Sequence, residues 1–216
     1  MSDSRTSITR LIQIPVLITL AITLLRLLGE MQQWSPLLFS REPGGPGALV
    51  GIVWLVPIFG LYFGIKLAQA GDRPSGLGST ILWTFLGIVA FVAIGFSSQL
   101  FKLGNRGQLA FMAVAAVVAI ALQFRTWPEL TRTLLVYGLA ARIPVIIIML
   151  LAFRGNWGTH YDAVPPDLPA MAPMEKFFWL GLIPQLTLWI AFTVLFGRFF
   201  GAIGAVLARQ RKSAMA

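Results

Sequence analysis

Apolar residues run along this chain in long unbroken blocks, not in the alternating patterns of a half-buried strand or a one-sided surface helix. Six blocks approach the roughly 20 residues that a helix needs to cross a bilayer. They cover residues 11–28, 48–67, 77–101, 108–124, 134–153 and 177–199. Turn-forming residues punctuate them. Ser35-Pro36 and the run 42–47 (Glu-Pro-Gly-Gly-Pro-Gly) close the first connection. Gly71-Asp72-Arg73-Pro74, Gly104-Asn105-Arg106-Gly107 and Trp127-Pro128-Glu129 mark short turns. Pro165, Pro166, Pro169 and Pro173 stiffen the stretch 154–176. This pattern predicts an all-α fold. It is a polytopic membrane helix bundle of about six transmembrane helices, forming a single integral membrane domain over 1–216.

Four blocks contain a proline: Pro15, Pro57, Pro144 and Pro184. Each lacks an N–H and frees a carbonyl one turn earlier, so several helices are expected to be kinked. The freed carbonyls either accompany simple packing kinks or line a polar cavity. Small residues recur at i, i+4, i+8 in two places: Gly60, Gly64, Ala68 and Gly197, Gly201, Ala205. Such ridges let helices approach closely, within one chain or between copies. A faint parallel repeat relates Ile14-Pro15-Val16 and the helix after it to Ile143-Pro144-Val145 and the helix after that.

Composition agrees with the pattern. Apolar residues make up 57% and charged residues 12%, against about 45–50% and 25% in a soluble domain. Soluble, disordered and collagen-like classes are excluded together. The N-terminal apolar run is too long for a signal-peptide core and lacks a small-x-small site, so it reads as a retained first helix. The net charge of +9 would suggest nucleic acid in a soluble protein. Here it follows the positive-inside rule instead. With the N-terminus cytoplasmic, ten basic residues flank the inner side and six the outer, and Arg142 is left inside the fifth block. Both termini are then cytoplasmic, and 29–47 and 154–176 are outer loops. The C-terminal Arg209-Gln210-Arg211-Lys212 run suits anionic lipids at the cytoplasmic face. The expected location is a bacterial cytoplasmic (inner) membrane, with the lipid bilayer as partner and no nucleic acid.

The chain has no cysteine and one histidine, which removes disulfides, thiolate metal sites and bis-histidine haem. No phosphate loop, His-Glu-x-x-His or nucleophile elbow is present. No cofactor, metal site or catalytic residue is assigned. Arg142 is the most informative residue. It lies near the middle of the fifth block, where a charge costs about 2.5–3.5 kcal/mol on insertion scales. Gln13, Gln185, Thr187, Tyr137 or freed carbonyls are its possible neutral partners; an anion is the other. A ligand-binding site is therefore placed around Arg142, Gln13, Gln185 and Tyr137. Arg26 and Glu30 share a face near the outer boundary, read as an interfacial pair with Arg26 snorkelling outward. Asn156, Trp157, His160, Tyr161 and Asp162 form the densest polar run. With Arg26 and Glu30 they make an outer-face polar cluster, either an ordered interfacial loop or an acid–base site. The function expected is that of a small transporter-like or ligand- or lipid-binding membrane protein. The alternatives are an accessory or structural subunit of a larger membrane complex, and a membrane enzyme using His160 and Asp162.

Overall fold

A computed structural model describes residues 7–43, 49–100, 104–166, 168 and 170–213. Arg5 and Lys102, two of the flanking basic residues, and residues 44–48, Asp167 and Pro169 of the expected loops and block edges lie outside the described residues, as do the side chains of Arg211 and Lys212. The described residues form an all-helical bundle. It comprises α1 (Ile8–Met31), α2 (Leu55–Gln69), α3 (Leu77–Leu100), α4 (Asn105–Gln123), α5 (Pro128–Gly155), α6 (Pro173–Lys176), a π-helical turn (Phe177–Leu182), α7 (Ile183–Leu186) and α8 (Leu188–Ser213). The last four run on from one another as one interrupted helix. Five helical segments are long and apolar enough to cross a membrane: α1, α3, α4, α5 and that interrupted helix. The sixth expected span, α2, has only 15 residues, about 22 Å at the rise of a helix.

The departures from the expected boundaries have local causes. Residues before Leu55 fold back on the first loop, with Leu49 N–H donating to Leu37 O and Val50 N–H to Leu38 O. Pro57 therefore falls in the first turn of α2, where a missing N–H costs nothing, and does not kink it. α5 begins at Pro128 rather than at 134, with Pro128 at its first position and Glu129 favourably placed in its first turn. Trp127-Pro128-Glu129 is thus a helix start, not a separate turn. α5 ends where Asn156 takes a left-handed conformation (φ 49°) that caps the helix. The block expected to stop at 199 continues to Ser213, because its small-residue ridge packs on α2.

That packing is intramolecular. A Cβ on Gly60 would collide with the backbone of Gly197, one on Gly64 with the carbonyl of Gly201, and one on Gly204 with the carbonyl of Leu61. α2 and α8 thus run parallel in backbone contact, which only glycine permits at these positions. α1 likewise lies beside α5. Corresponding helices of the suspected repeat are neighbours, but Arg26 and Arg154 do not share an environment: the first is buried against Glu30, the second exposed beside Met174.

Two apolar clusters stack along α5. One gathers Trp127, Leu130, Leu134 and Tyr137 with Phe59 and Phe63. The other gathers Val145, Ile148, Met149 and Phe153 with Tyr161 and Phe177. Ala141 belongs to the first and Val145 to the second, so Arg142 falls at the seam. The outside is apolar, with Ile14 65% and Phe96 67% exposed, while polar side chains turn inward. That inverted distribution is what a lipid solvent imposes.

Candidate functional site

Arg142 is residue 15 of the 28 in α5 and only 4% exposed. Its Nη1 donates to Gln185 Oε1 at 3.2 Å. Its guanidinium carbon lies 4.7 Å from the centroid of the Trp189 ring, within cation–π range. Its Nε is buried with no hydrogen-bond partner, and no carboxylate among the described residues pairs with it.

The interrupted helix supplies both neighbours. The π-helical turn at Phe177–Leu182 ends just before Pro184, which cannot continue the donor ladder. Thr187, at φ −116° and ψ −75°, separates α7 from α8. Gln185 and Trp189 flank that break. π turns and helix breaks inside spans need protein or a cavity around them, and here a cavity lies alongside.

That cavity has a volume of about 270 Å³. Arg142, Gln185 and Trp189 line it together with Arg26, His160 and Tyr161. The site around Arg142 and the outer-face cluster, separate in the sequence, thus share one space. Much of the remaining wall is apolar, including Ile22, Ile52, Val145 and Leu180.

The far side of the cavity is built around Glu30, which is 1% exposed. Its Oε1 accepts from Arg26 Nε at 2.8 Å and lies 2.5 Å from His160 Nδ1. Its Oε2 accepts the backbone N–H of His160 at 2.8 Å. Arg26 also donates from Nη2 to Ser40 O at 3.2 Å. It is 9% exposed, so the expectation that it snorkels outward is overturned: a buried carboxylate and a backbone carbonyl draw it inward. The Tyr161 hydroxyl donates to Thr23 O at 3.3 Å, and its ring centroid stands 3.9 Å from that of His160. Burial pushes the His160 imidazole below its ordinary value against the opposing pull of Glu30, and pushes the Tyr161 phenol up.

Other residues of the expected sites have different employment. Asp162 accepts from Gly158 N (3.0 Å), Thr159 N (2.8 Å) and Thr159 Oγ1 (2.7 Å), which closes its own loop. His160 is instead partnered by Glu30. Asn156 is the exposed helix cap, and the Trp157 ring covers Gly155. Tyr137 bonds Thr19 Oγ1 at 2.8 Å and packs edge-on to Phe59 and Phe63 in the first apolar cluster, outside the cavity lining. Gln13 is exposed and not part of the cavity. Thr187 bonds back to Ile183 O at 2.7 Å. Among the described residues no three His, Asp or Glu side chains converge as a metal site.

A second buried arginine went unnoticed in the sequence. Arg198, one of the ten basic residues that the positive-inside rule assigns to the inner side, is 0% exposed. Its Nη1 donates to Trp127 O at 3.0 Å and Thr131 Oγ1 at 2.5 Å, and its Nη2 to Thr126 Oγ1 at 2.7 Å. The adjoining turns are tied together at the same end of the bundle: Ser75 N–H donates to Thr126 O, and Trp127 Nε1 to Asp72 Oδ1 at 2.5 Å. The available signal was Thr126 and Thr131, two hydroxyls flanking a helix start, but nothing local ties them to residue 198.

No protein-family model matches this chain, and neither a curated protein nor a solved structure does.

Proposed function

We propose that this is a multi-pass membrane protein that binds a small oxyanion, carried on a short apolar stem, in the cavity around Arg142. The observation that carries this reading is a buried guanidinium lining a cavity, with no carboxylate partner among the described residues. Taking a charge out of water costs several kcal/mol after relaxation. One hydrogen bond donated to the neutral Gln185 amide oxygen and the face of Trp189 offset part of that. A carboxylate, sulfonate or phosphate would use the remaining donors of the planar fork. The lining carries Arg142, Arg26 and His160 and no carboxylate, so its polarity favours an anion. Ligand pockets commonly span about 300–1,000 Å³; this smaller cavity suits a head and short stem rather than a whole lipid. A polar site beside a broken helix, deep in the apolar part of the bundle, also fits a transporter-like use of the cavity.

The basic residues support an orientation in a bacterial cytoplasmic membrane. Arg10, Lys66, Arg73, Arg125 and Arg132 cluster at the Trp127 end, which this reading places in the cytoplasm. The His160 end then faces outward.

The test uses the full chain in phosphatidylcholine nanodiscs, titrated with octanesulfonate and followed by tryptophan fluorescence. Trp179 and Trp189 line the cavity and report occupancy. Saturable binding is expected, weakened at least about tenfold in Arg142→Leu and less in Arg142→Lys, whose point charge cannot form the fork. Binding that is equal in Arg142→Leu sinks the reading. Inorganic sulfate isolates the contribution of the stem. Competition by phosphatidic acid in the disc would identify a lipid headgroup as the source of the anion; no competition points to a soluble one.

A further inference from the structure

We propose that His160 takes up one proton when the cavity binds its anion, so that the site accepts an anion and a proton together. This rests on the anion-binding reading above and adds the identity of the coupled ion and its carrier.

The geometry supplies the carrier. His160 is held by Glu30 at two points, backbone N and Nδ1. With Glu30 ionised and paired to Arg26, Nδ1 keeps its hydrogen and donates it to the carboxylate. Nε2 is then the lone-pair nitrogen, and it has no hydrogen bond among the described residues. His160 lines the cavity, and a carboxylate that fixes one nitrogen of a cavity-lining imidazole and leaves the other unpaired is an arrangement suited to proton exchange. Glu30 also does what Asp162, nearer in sequence, does not: Asp162 is occupied by Gly158 and Thr159.

The charges around the ring set the direction. Glu30 and Arg26 face it from α1, Asp162 and Tyr161 from its own loop, and Arg142 shares its cavity from α5. Arg26 is matched by Glu30. Arg142 has no counter-charge among the described residues, so without an anion it disfavours a second cation in the same cavity, and burial acts the same way. A bound oxyanion reverses both influences. The step balances simply: the neutral imidazole gains a proton at Nε2 from the buffer acid in bulk solvent, whose conjugate base stays in solution, becomes an imidazolium bonded on both nitrogens, and donates Nε2–H toward the anion. The net charge brought into the site is zero, which lowers the cost of filling it within a membrane.

The sign follows by linkage. The imidazole is more easily protonated with the anion bound than without it. Affinity therefore rises as pH falls through the pKa of the bound form, by up to about tenfold per pH unit, and levels off below the pKa of the free form. The experiment is calorimetric titration of the full chain in nanodiscs with octanesulfonate, in buffers of differing ionisation enthalpy and across pH. Sulfonate stays ionised throughout, so any proton taken up belongs to the protein. Expected are proton uptake approaching one per anion near neutrality and tighter binding at lower pH. His160→Asn, whose amide keeps a donor for Glu30 but no Nε2, should flatten the pH profile and abolish the uptake. Arg142-dependent binding with no uptake and no pH slope in the wild type overturns the proton coupling and leaves the anion site standing. A slope that persists in His160→Asn also overturns it, by placing the proton elsewhere. No octanesulfonate binding at any pH overturns both proposals together.

Discussion

Arg142 and Arg198 are both buried, and neither has a carboxylate within ion-pair distance among the described residues. Yet they solve the same problem differently. Arg198 meets three neutral oxygens from the α4–α5 connection and the first turn of α5, a carbonyl and two hydroxyls, which fasten α8 to the start of α5; only its Nε, like that of Arg142, is left without a partner. Arg142 has one neutral oxygen, one aromatic face and a cavity. A charge enclosed by fixed dipoles is part of the framework, because its partners gain as much from it as it gains from them. A charge left with spare donors beside an open space is costly to keep without a ligand. The number of oxygens around each guanidinium, rather than burial or depth, separates the staple from the site.

The comparison fails most visibly if the staple can be removed without harm. Arg198→Leu should destabilise the bundle by about 4 kcal/mol, since three charge-assisted hydrogen bonds go and the Thr126 hydroxyl is left buried, although Trp127 O and Thr131 Oγ1 keep their bonds within the first turn of α5. Thermal unfolding in detergent checks this, with Arg142→Leu as the paired control. Equal losses in the two variants would show that their surroundings do not distinguish them. Glu30→Gln comes next. Arg26 is a third buried arginine, and it alone of the three has a carboxylate. Neutralising that carboxylate breaks a buried ion pair and weakens the hold on His160, for a loss of about 3 kcal/mol by the same measurement. An unchanged melting temperature would mean that Arg26 relies on Ser40 O instead.

The overall class was legible in the residues because a bilayer imposes it bluntly: long apolar blocks become helices, as α1, α3 and α4 do within a few residues of their expected limits. Three boundaries were not. α2 starts seven residues late because Leu49 and Val50 pair with the first loop, which no local window shows. α5 starts six residues early because Pro128 is chemically at home both in a turn and at a helix start. α8 runs 14 residues late because the Gly197–Gly201 ridge needs α2, a tertiary partner that no local window contains. The site was half legible. Arg142 stands out by its cost, and Gln185 was among its possible neutral partners. Tyr137 and Gln13 were not excluded by sequence, since depth along a span says nothing about which way a side chain points. The joining of Glu30 to His160 across 130 residues, and the burial of Arg26, depend on how the loop after α5 folds back over α1. Arg198 was hidden for a similar reason, since a cation near a span end resembles a topology signal until its partners are known.

Arg142→Leu should change stability by less than about 1 kcal/mol, in either direction, because replacing an incompletely paired buried charge with a hydrophobe of similar bulk is often neutral or stabilising. The same variant is expected to lose octanesulfonate binding. A stability loss as large as that of Arg198→Leu would make Arg142 a second staple.

The smallest expected effect probes how Arg142 is aimed. Trp189 meets the guanidinium with its ring face at 4.7 Å, and such a contact is worth about 0.5–1 kcal/mol, more when desolvated. Trp189→Phe keeps an aromatic face but weakens its quadrupole. Two influences then oppose each other: a less well-held guanidinium presents its fork less often, whereas a less compensated charge attracts an anion more strongly. Positioning should prevail, because Gln185 holds only Nη1 and the ring is the other contact restricting the plane of the fork. Affinity for octanesulfonate should fall by about two- to fivefold, read by calorimetry since one reporter tryptophan is gone. A rise in affinity would instead make Trp189 a substitute counter-charge. Arg142 would then sit closer to Arg198 in kind, with part of its charge already answered by the protein before any ligand arrives.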